Sequence, residues 1–229
     1  MNDAHMSRLQ LLKIVLLRFG LGFAGLALIF FLPAGTFNFW EAWAWLLIVI
    51  IPMLGILVYL LKNDPALLER RMRTREREKE QSLLIKLSYV WFLLAFLLPG
   101  FDHRFGWSHV PTEIVIASEV IVLAGYCMFI LVMLENSYAS RVVEVEAGQT
   151  VISSGPYSIV RHPMYLSAII MWAFTPLALG SYWAILPALL ILPILVARIL
   201  NEEQVLVRDL PGYPEYVQQV KHRLVPGVW

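Results

Sequence analysis

Five consecutive residues, Arg161-His162-Pro163-Met164-Tyr165, put a fixed cation, an imidazole, a proline and a phenol directly ahead of a long apolar run. Proline is favoured at the first position of a helix, so a helix is expected to start here. Its free N–H groups and positive dipole end would attract an anion. His162 can donate or accept beside that end, and Tyr165 adds a flat ring with a polar tip within the first turn. The same residues would also serve as a plain helix cap with an interfacial tyrosine.

A second constellation follows the apolar run. Arg198 and Glu202 are four residues apart and share a helix face. They read either as an ion pair within one helix or as an arginine offered to an anionic substrate group, with a carboxylate one turn on. Glu203 adds a second negative charge, and such acids suit a cationic ligand or vicinal hydroxyls. Ahead of both lie the polar stretches Tyr138 to Glu144, Gln149-Thr150-Val151-Ile152 and Gly155-Pro156-Tyr157. The sequence holds no HExxH, no histidine pair at helical spacing and no cysteine cluster, so no metal centre is expected. The single cysteine, Cys127, sits in an apolar run and reads as a small buried hydrophobe.

The elements that position these residues must live in lipid. Of 229 residues, 59% are hydrophobic and only 15% charged, whereas soluble domains are about 45–50% apolar. One core could not bury the excess. A net charge of +1 gives no polybasic signal, which excludes a nucleic-acid partner. A span needs roughly 20 apolar residues, and four are evident, about Leu12–Leu32, Trp40–Leu61, Leu83–Phe101 and Thr112–Glu135. The first reads as an uncleaved span, without the small-residue cleavage site of a signal peptide. Trp40, Trp43 and Trp45 read as an interfacial aromatic cluster.

From His162 to Ala197 there is no Asp, Glu, Lys or Arg. One helix of that length would be about 54 Å long, too much for a single crossing. Leu179-Gly180-Ser181-Tyr182 divides it, giving a hairpin of about Met164–Leu179 and Tyr182–Leu200 in which Pro187 and Pro193 bend the second arm. Five or six crossings follow. With the N-terminus cytoplasmic, seventeen of the eighteen Lys and Arg residues fall on the inside and only Arg104 outside. An even number of crossings satisfies this count. The alternating charges of Asp64 to Gln81 suit a solvated amphipathic helix or a contact with anionic lipid headgroups. The expectation is therefore an all-α integral membrane bundle forming one domain. Four N-terminal spans would occupy residues 1–135, with a catalytic region, hairpin and tail in 136–229.

The ordered set Gly155-Pro156-Tyr157, Arg161-His162-Pro163-Met164-Tyr165 and Glu202-Glu203 resembles the isoprenylcysteine carboxyl methyltransferase family and, more distantly, the phospholipid N-methyltransferases. The tail, Gly212-Tyr213-Pro214-Glu215-Tyr216 and Arg223-Leu224-Val225-Pro226, reinforces the resemblance, which covers roughly residues 138–229. It implies S-adenosylmethionine as methyl donor, bound at the cytoplasmic face. It also implies a cofactor pocket made of Glu144, Gln149, Thr150, Val151, Ile152, Tyr157, His162, Pro163, Met164, Tyr165, Glu202 and Glu203. Arg198 would meet a substrate carboxylate as the catalytic residue. Leu210-Pro211-Gly212-Tyr213 replaces the Phe-Gly pair of the eukaryotic enzymes and is closer to bacterial members. The resemblance thus implies a multi-pass protein of a bacterial inner membrane, with a lipophilic or lipidated substrate arriving from the bilayer. A membrane reductase using NADPH and a non-enzymatic bundle are the competing readings.

Overall fold

The computed structural model describes residues 8–72, 79–138, 145–146 and 148–229. They form nine α-helices and no strand: α1 (Arg8–Ala34), α2 (Trp40–Asn63), α3 (Pro65–Met72), α4 (Lys79–Phe105), α5 (Thr112–Glu135), α6 (Pro163–Ala178), α7 (Ile185–Leu190), α8 (Leu192–Asp209) and α9 (Tyr213–Gln219). Five segments are long and apolar enough to cross a membrane: Leu9–Ala34, Trp40–Asn63, Ser82–Phe105, Thr112–Glu135 and Ile185–Asp209. Their apolar side chains do not collect on one stripe. Leu21, Leu32, Ile51 and Leu131 all point outward and exposed. A helix apolar all round needs an apolar surrounding, and its backbone pairs internally as lipid requires. The protein is an all-α integral membrane bundle, as composition implies.

The hairpin arms differ from expectation in their limits. The second arm begins at Ile185, not Tyr182, and continues past Leu200 to Asp209. It breaks at Ile191, just before Leu192-Pro193 opens α8, because a proline supplies no N–H to continue the preceding turn. The turn between the arms meets the far ends of α2 and α4. Gly180 adopts φ +69 beside the Glu41 carboxylate, the Ser181 hydroxyl donates to Asp102, and Tyr182 N–H donates to Ser108 Oγ at 3.1 Å. The 16-residue α6 therefore reaches the same depth as the longer spans, and the chain traverses the bundle six times.

Two apolar clusters hold the bundle. At the hairpin-turn end, Phe30, Phe31, Phe39, Trp45, Val122 and Leu179 pack together. At the opposite end, Leu11, Val15, Leu57, Leu60, Leu67 and Met133 do so, with Phe129 and Met164 against them. Close helix approach needs small residues. A Cβ at Gly100 would lie 2.6 Å from the Phe30 carbonyl oxygen, so α1 and α4 touch backbone to backbone there. Two sequence expectations change. Trp45 is buried and donates to Thr175 Oγ1 at 3.1 Å, leaving Trp40 and Trp43 as the exposed pair. Cys127 is exposed on the outside of α5, because that face of the helix meets lipid and not protein.

Candidate active site

The polar stretches converge at the end opposite the hairpin turn. His162 caps α6 with non-helical dihedrals, and Pro163 occupies the first turn. The two residues before the proline are tied to the tail. Arg161 N–H donates to the His222 carbonyl and His162 N–H to the Arg223 carbonyl, each at 2.9 Å. The tail is closed in turn by the Trp229 carbonyl, which accepts from the N–H groups of Arg223, Leu224 and Val225. A local helix start is thus pinned by residues some sixty positions away.

Successive residues on a helix point about 100° apart, and Glu202 and Glu203 accordingly meet different partners. Glu203 accepts from Arg161 Nε at 2.7 Å, Arg223 Nε at 2.8 Å and His162 Nε2 at 3.2 Å. Arg161 is buried, and its Nη1 also donates to the carbonyls of Val220 and Lys221. This group holds α8, the α6 start and the tail together. Glu202 instead accepts from the Tyr165 hydroxyl at 2.6 Å, and that hydroxyl accepts from Arg198 Nε at 3.0 Å. The simple pairing of Arg198 with Glu202 read from spacing is therefore a relay through a phenol supplied by α6.

Tyr157 sits in a 3₁₀ turn over Gly155–Ser158. Gly155 has φ +53, and a Cβ there would come within 2.9 Å of the Glu135 carboxyl carbon, so only glycine fits this turn. The Tyr157 hydroxyl accepts from Asn136 Nδ2 at 3.2 Å, and its carbonyl accepts from the Tyr216 hydroxyl at 2.7 Å. Burial pushes the Tyr157 phenol up to about 12, against the smaller opposing effect of Asn136. It stays protonated at neutral pH. Burial likewise raises Tyr213 and Tyr216 far above the ordinary phenol value.

These residues border one cavity of about 620 Å³. Its polar end is walled by Asn136, the backbone stretch Gln149 to Ile152, Tyr157, Glu202, Tyr213 and Tyr216. Its other end runs between α4, α6 and α8, along Leu84, Phe92, Ala168, Trp172 and Ile194. There Trp172 packs on Phe92 with ring centroids 4.2 Å apart. Tyr89, on the same wall, is 56% exposed on the outer surface of α4. His162, Met164, Tyr165 and Arg198 line the junction between the two ends.

Of the expected pocket residues, Gln149, Thr150, Val151, Ile152, Tyr157, His162, Met164, Tyr165, Arg198 and Glu202 border this cavity. Pro163 and Glu203 do not: Pro163 is buried in the first turn of α6, and Glu203 faces the Arg161 side. Glu144 lies outside the described residues. Sequence reasoning missed Arg71, Asn136, Tyr213 and the α4 wall. Leu84, Ser88 and Phe92 recur at helical spacing on α4, a signal of a shared face but not of a cavity. The Tyr213 hydroxyl is buried with no hydrogen-bond partner among the described residues, although the residue borders the cavity. Such an orphaned donor costs stability unless a ligand or water meets it.

A comparison with curated proteins finds no match. Residues 115–208 match the isoprenylcysteine carboxyl methyltransferase (ICMT) family model. This span holds α6, the Arg198–Tyr165–Glu202 relay and, of the Glu203 group, Arg161, His162 and Glu203, while Arg223 and the tail lie beyond it. Across this span the chain is similar to the isoprenylcysteine carboxyl methyltransferase family, which implies methyltransferase activity in general.

Proposed function

We propose that the protein transfers a methyl group from S-adenosylmethionine to the carboxylate of a lipophilic, isoprenylcysteine-like substrate drawn from the bilayer. The observation that carries this reading is the relay Arg198–Tyr165–Glu202 at the junction of a polar and an apolar cavity end. The polar end suits the donor. Glu202 can accept from hydroxyls or an ammonium group, and Gln149 to Ile152 line the same end. When bound, the donor supplies an electrophilic methyl group on a sulfonium.

The protein's own part is positioning. A carboxylate is ionised at neutral pH and needs no general base, which agrees with a site whose Tyr165 hydroxyl is committed to Glu202. The Arg198 guanidinium, held by that same phenol, would fix the acceptor carboxylate, and a planar guanidinium can do so with two parallel bonds. The apolar end between α4, α6 and α8 would take the substrate's tail and exclude water. The concentration of basic residues on the site face supports a cytoplasmic site in a bacterial inner membrane.

The test is binding of S-adenosylhomocysteine to purified protein. Glu202→Ala and His162→Ala should each weaken it by about tenfold or more, the loss expected for one charge-assisted hydrogen bond. Wild-type affinity in both variants would sink the proposal, and stabilisation by NADPH in place of S-adenosylhomocysteine would favour a reductase.

A further inference from the structure

The apolar end of the cavity has a defined depth. Among the described residues, its lining runs as far as Phe92 on α4, Trp172 on α6 and Ile194 on α8. Tyr165, Ala168 and Trp172 are spaced i, i+3 and i+7 and share one face of α6. That face descends from the relay at Tyr165, past the small Ala168, to the indole of Trp172. Seven residues of helix make this descent about 10 Å. On the opposite wall the Ser88 hydroxyl donates to the Ile85 carbonyl at 2.7 Å, so its proton is used by its own helix and the channel stays apolar.

Trp172 rests on a continuous aromatic core. Its ring packs on Phe92 at 4.2 Å and on Phe96, one turn further along α4, at 5.2 Å between centroids. Phe96 packs in turn on Trp45 at 5.5 Å and on Phe30 at 5.6 Å. Phe30 is fully buried, and the Trp45 indole donates to Thr175 Oγ1, three residues beyond Trp172, at 3.1 Å. Close-packed interiors yield little. The indole is therefore a fixed floor between the cavity and the core of the hairpin-turn end, with rings from α1, α2 and α4 behind it.

A stretched chain advances about 1.2 Å per bond, as the backbone of an extended residue does. A descent of about 10 Å thus takes about eight bonds from the level of Tyr165. The bonds between the carboxyl carbon and the sulfur of an S-alkylated cysteine use part of that length. We propose that Trp172 is a specificity-determining residue that limits the methyl acceptor to a short tail, of about five to eight main-chain carbons, or one to two isoprene units. The inference rests on the reading of the protein as a carboxyl methyltransferase and adds the size of its substrate. A longer tail meets the indole and has to bend back or leave between the helices.

The experiment measures methyl ester formation by the full-length protein in detergent, with S-adenosylmethionine and a series of N-acetyl-S-alkylcysteines from S-butyl to S-hexadecyl. The readout is the ratio of kcat/KM in the variant to that in wild type at each chain length, in which partition of the acceptor into the micelle cancels. Trp172→Ala should raise this ratio by about tenfold from S-hexyl to S-hexadecyl, the lower range for a change of size in an apolar pocket. Trp172→Phe should give a smaller rise. Ala168→Leu, which narrows the channel one turn above the floor, should give a ratio that falls with chain length. A ratio for Trp172→Ala that is the same at every length overturns the inference, whether activity is lost or kept: Trp172 then only supports the fold, or long tails pass sideways beside the exposed Tyr89 into lipid. If Trp172→Ala does not fold, Ala168→Leu decides, a falling ratio upholding the inference and a flat one overturning it. These outcomes leave the methyltransferase reading intact. Failure of wild type to esterify any member of the series overturns both.

Discussion

The two ends of the bundle each bury an acid, and the acids are satisfied by different chemistry. At the hairpin-turn end, Asp102 accepts from Ser108 N–H and Ser108 Oγ, each at 2.6 Å, and from the Ser181 hydroxyl. All three donors are neutral. At the site end, Glu203 accepts from two guanidinium groups and an imidazole. Neutral donors are enough to close a turn between α4, α5 and the hairpin. A cluster of cations beside a helix start draws in anions, so a buried carboxylate there neutralises one side and leaves the other side for a ligand. The difference teaches which end is built only to hold shape and which holds shape so as to present charge.

The largest effect should come from cutting the charged group. Glu203→Leu leaves Arg161 buried without its counter-ion. Removing one partner of a buried pair costs about 3–5 kcal/mol, enough to lower the unfolding temperature in detergent sharply and to abolish S-adenosylhomocysteine binding. Its neighbour sharpens the contrast: Glu202→Ala should lose ligand affinity while costing about 1 kcal/mol of stability, one hydrogen bond to Tyr165. Equal stability losses for the two glutamates would refute the division of labour between them.

The neutral end should respond less, and without touching the ligand. Asp102→Asn removes the full charge and part of the acceptor capacity facing Ser108 and Ser181. The expected cost is about 1–3 kcal/mol of stability, read as a lower unfolding temperature with unchanged S-adenosylhomocysteine affinity. A loss of affinity would show that the hairpin turn communicates with the site across the membrane.

Much of this contrast is legible in the amino-acid sequence. The charge-free run from His162 to Ala197 carries the hairpin, because nothing but two apolar helices accounts for its length. The count of basic residues requires the return to one face, and α7–α8 makes that return. The roles of Glu202 and Glu203 are half legible: adjacent helix residues point about 100° apart, so the two acids are expected to meet different neighbours. Which acid meets which depends on where Arg161 and the tail lie, a matter of tertiary contact between residues 20 to 42 positions apart. Arg71 is not legible at all. Its alternating-charge neighbourhood looks like a solvated helix, and its approach to Met164 depends on the fold of α1, α2 and α5 around α3.

Glu119 provides the smallest effect and the opposite sign. It lies in α5 about 10 Å from the helix start at Thr112 and is 5% exposed. Neither of its carboxyl oxygens has a hydrogen-bond partner among the described residues. Glu41 Oε2 is likewise without a hydrogen-bond partner among the described residues. Asp102 shows what a satisfied acid at this end looks like, and Glu119 lacks each of those features. A buried polar group without partners costs of order 1–3 kcal/mol, and an apolar side chain of similar length removes that cost while filling most of the space. Glu119→Met should therefore raise stability by about 1 kcal/mol, the larger gain being offset by imperfect packing. The measurement is the unfolding temperature in detergent beside Asp102→Asn: the two substitutions each remove a buried acid from the same end of the bundle, and their shifts should have opposite signs. A fall in both would mean that Glu119 is held by an interaction as important as the one at Asp102, and the comparison between satisfied and unsatisfied acids would fail.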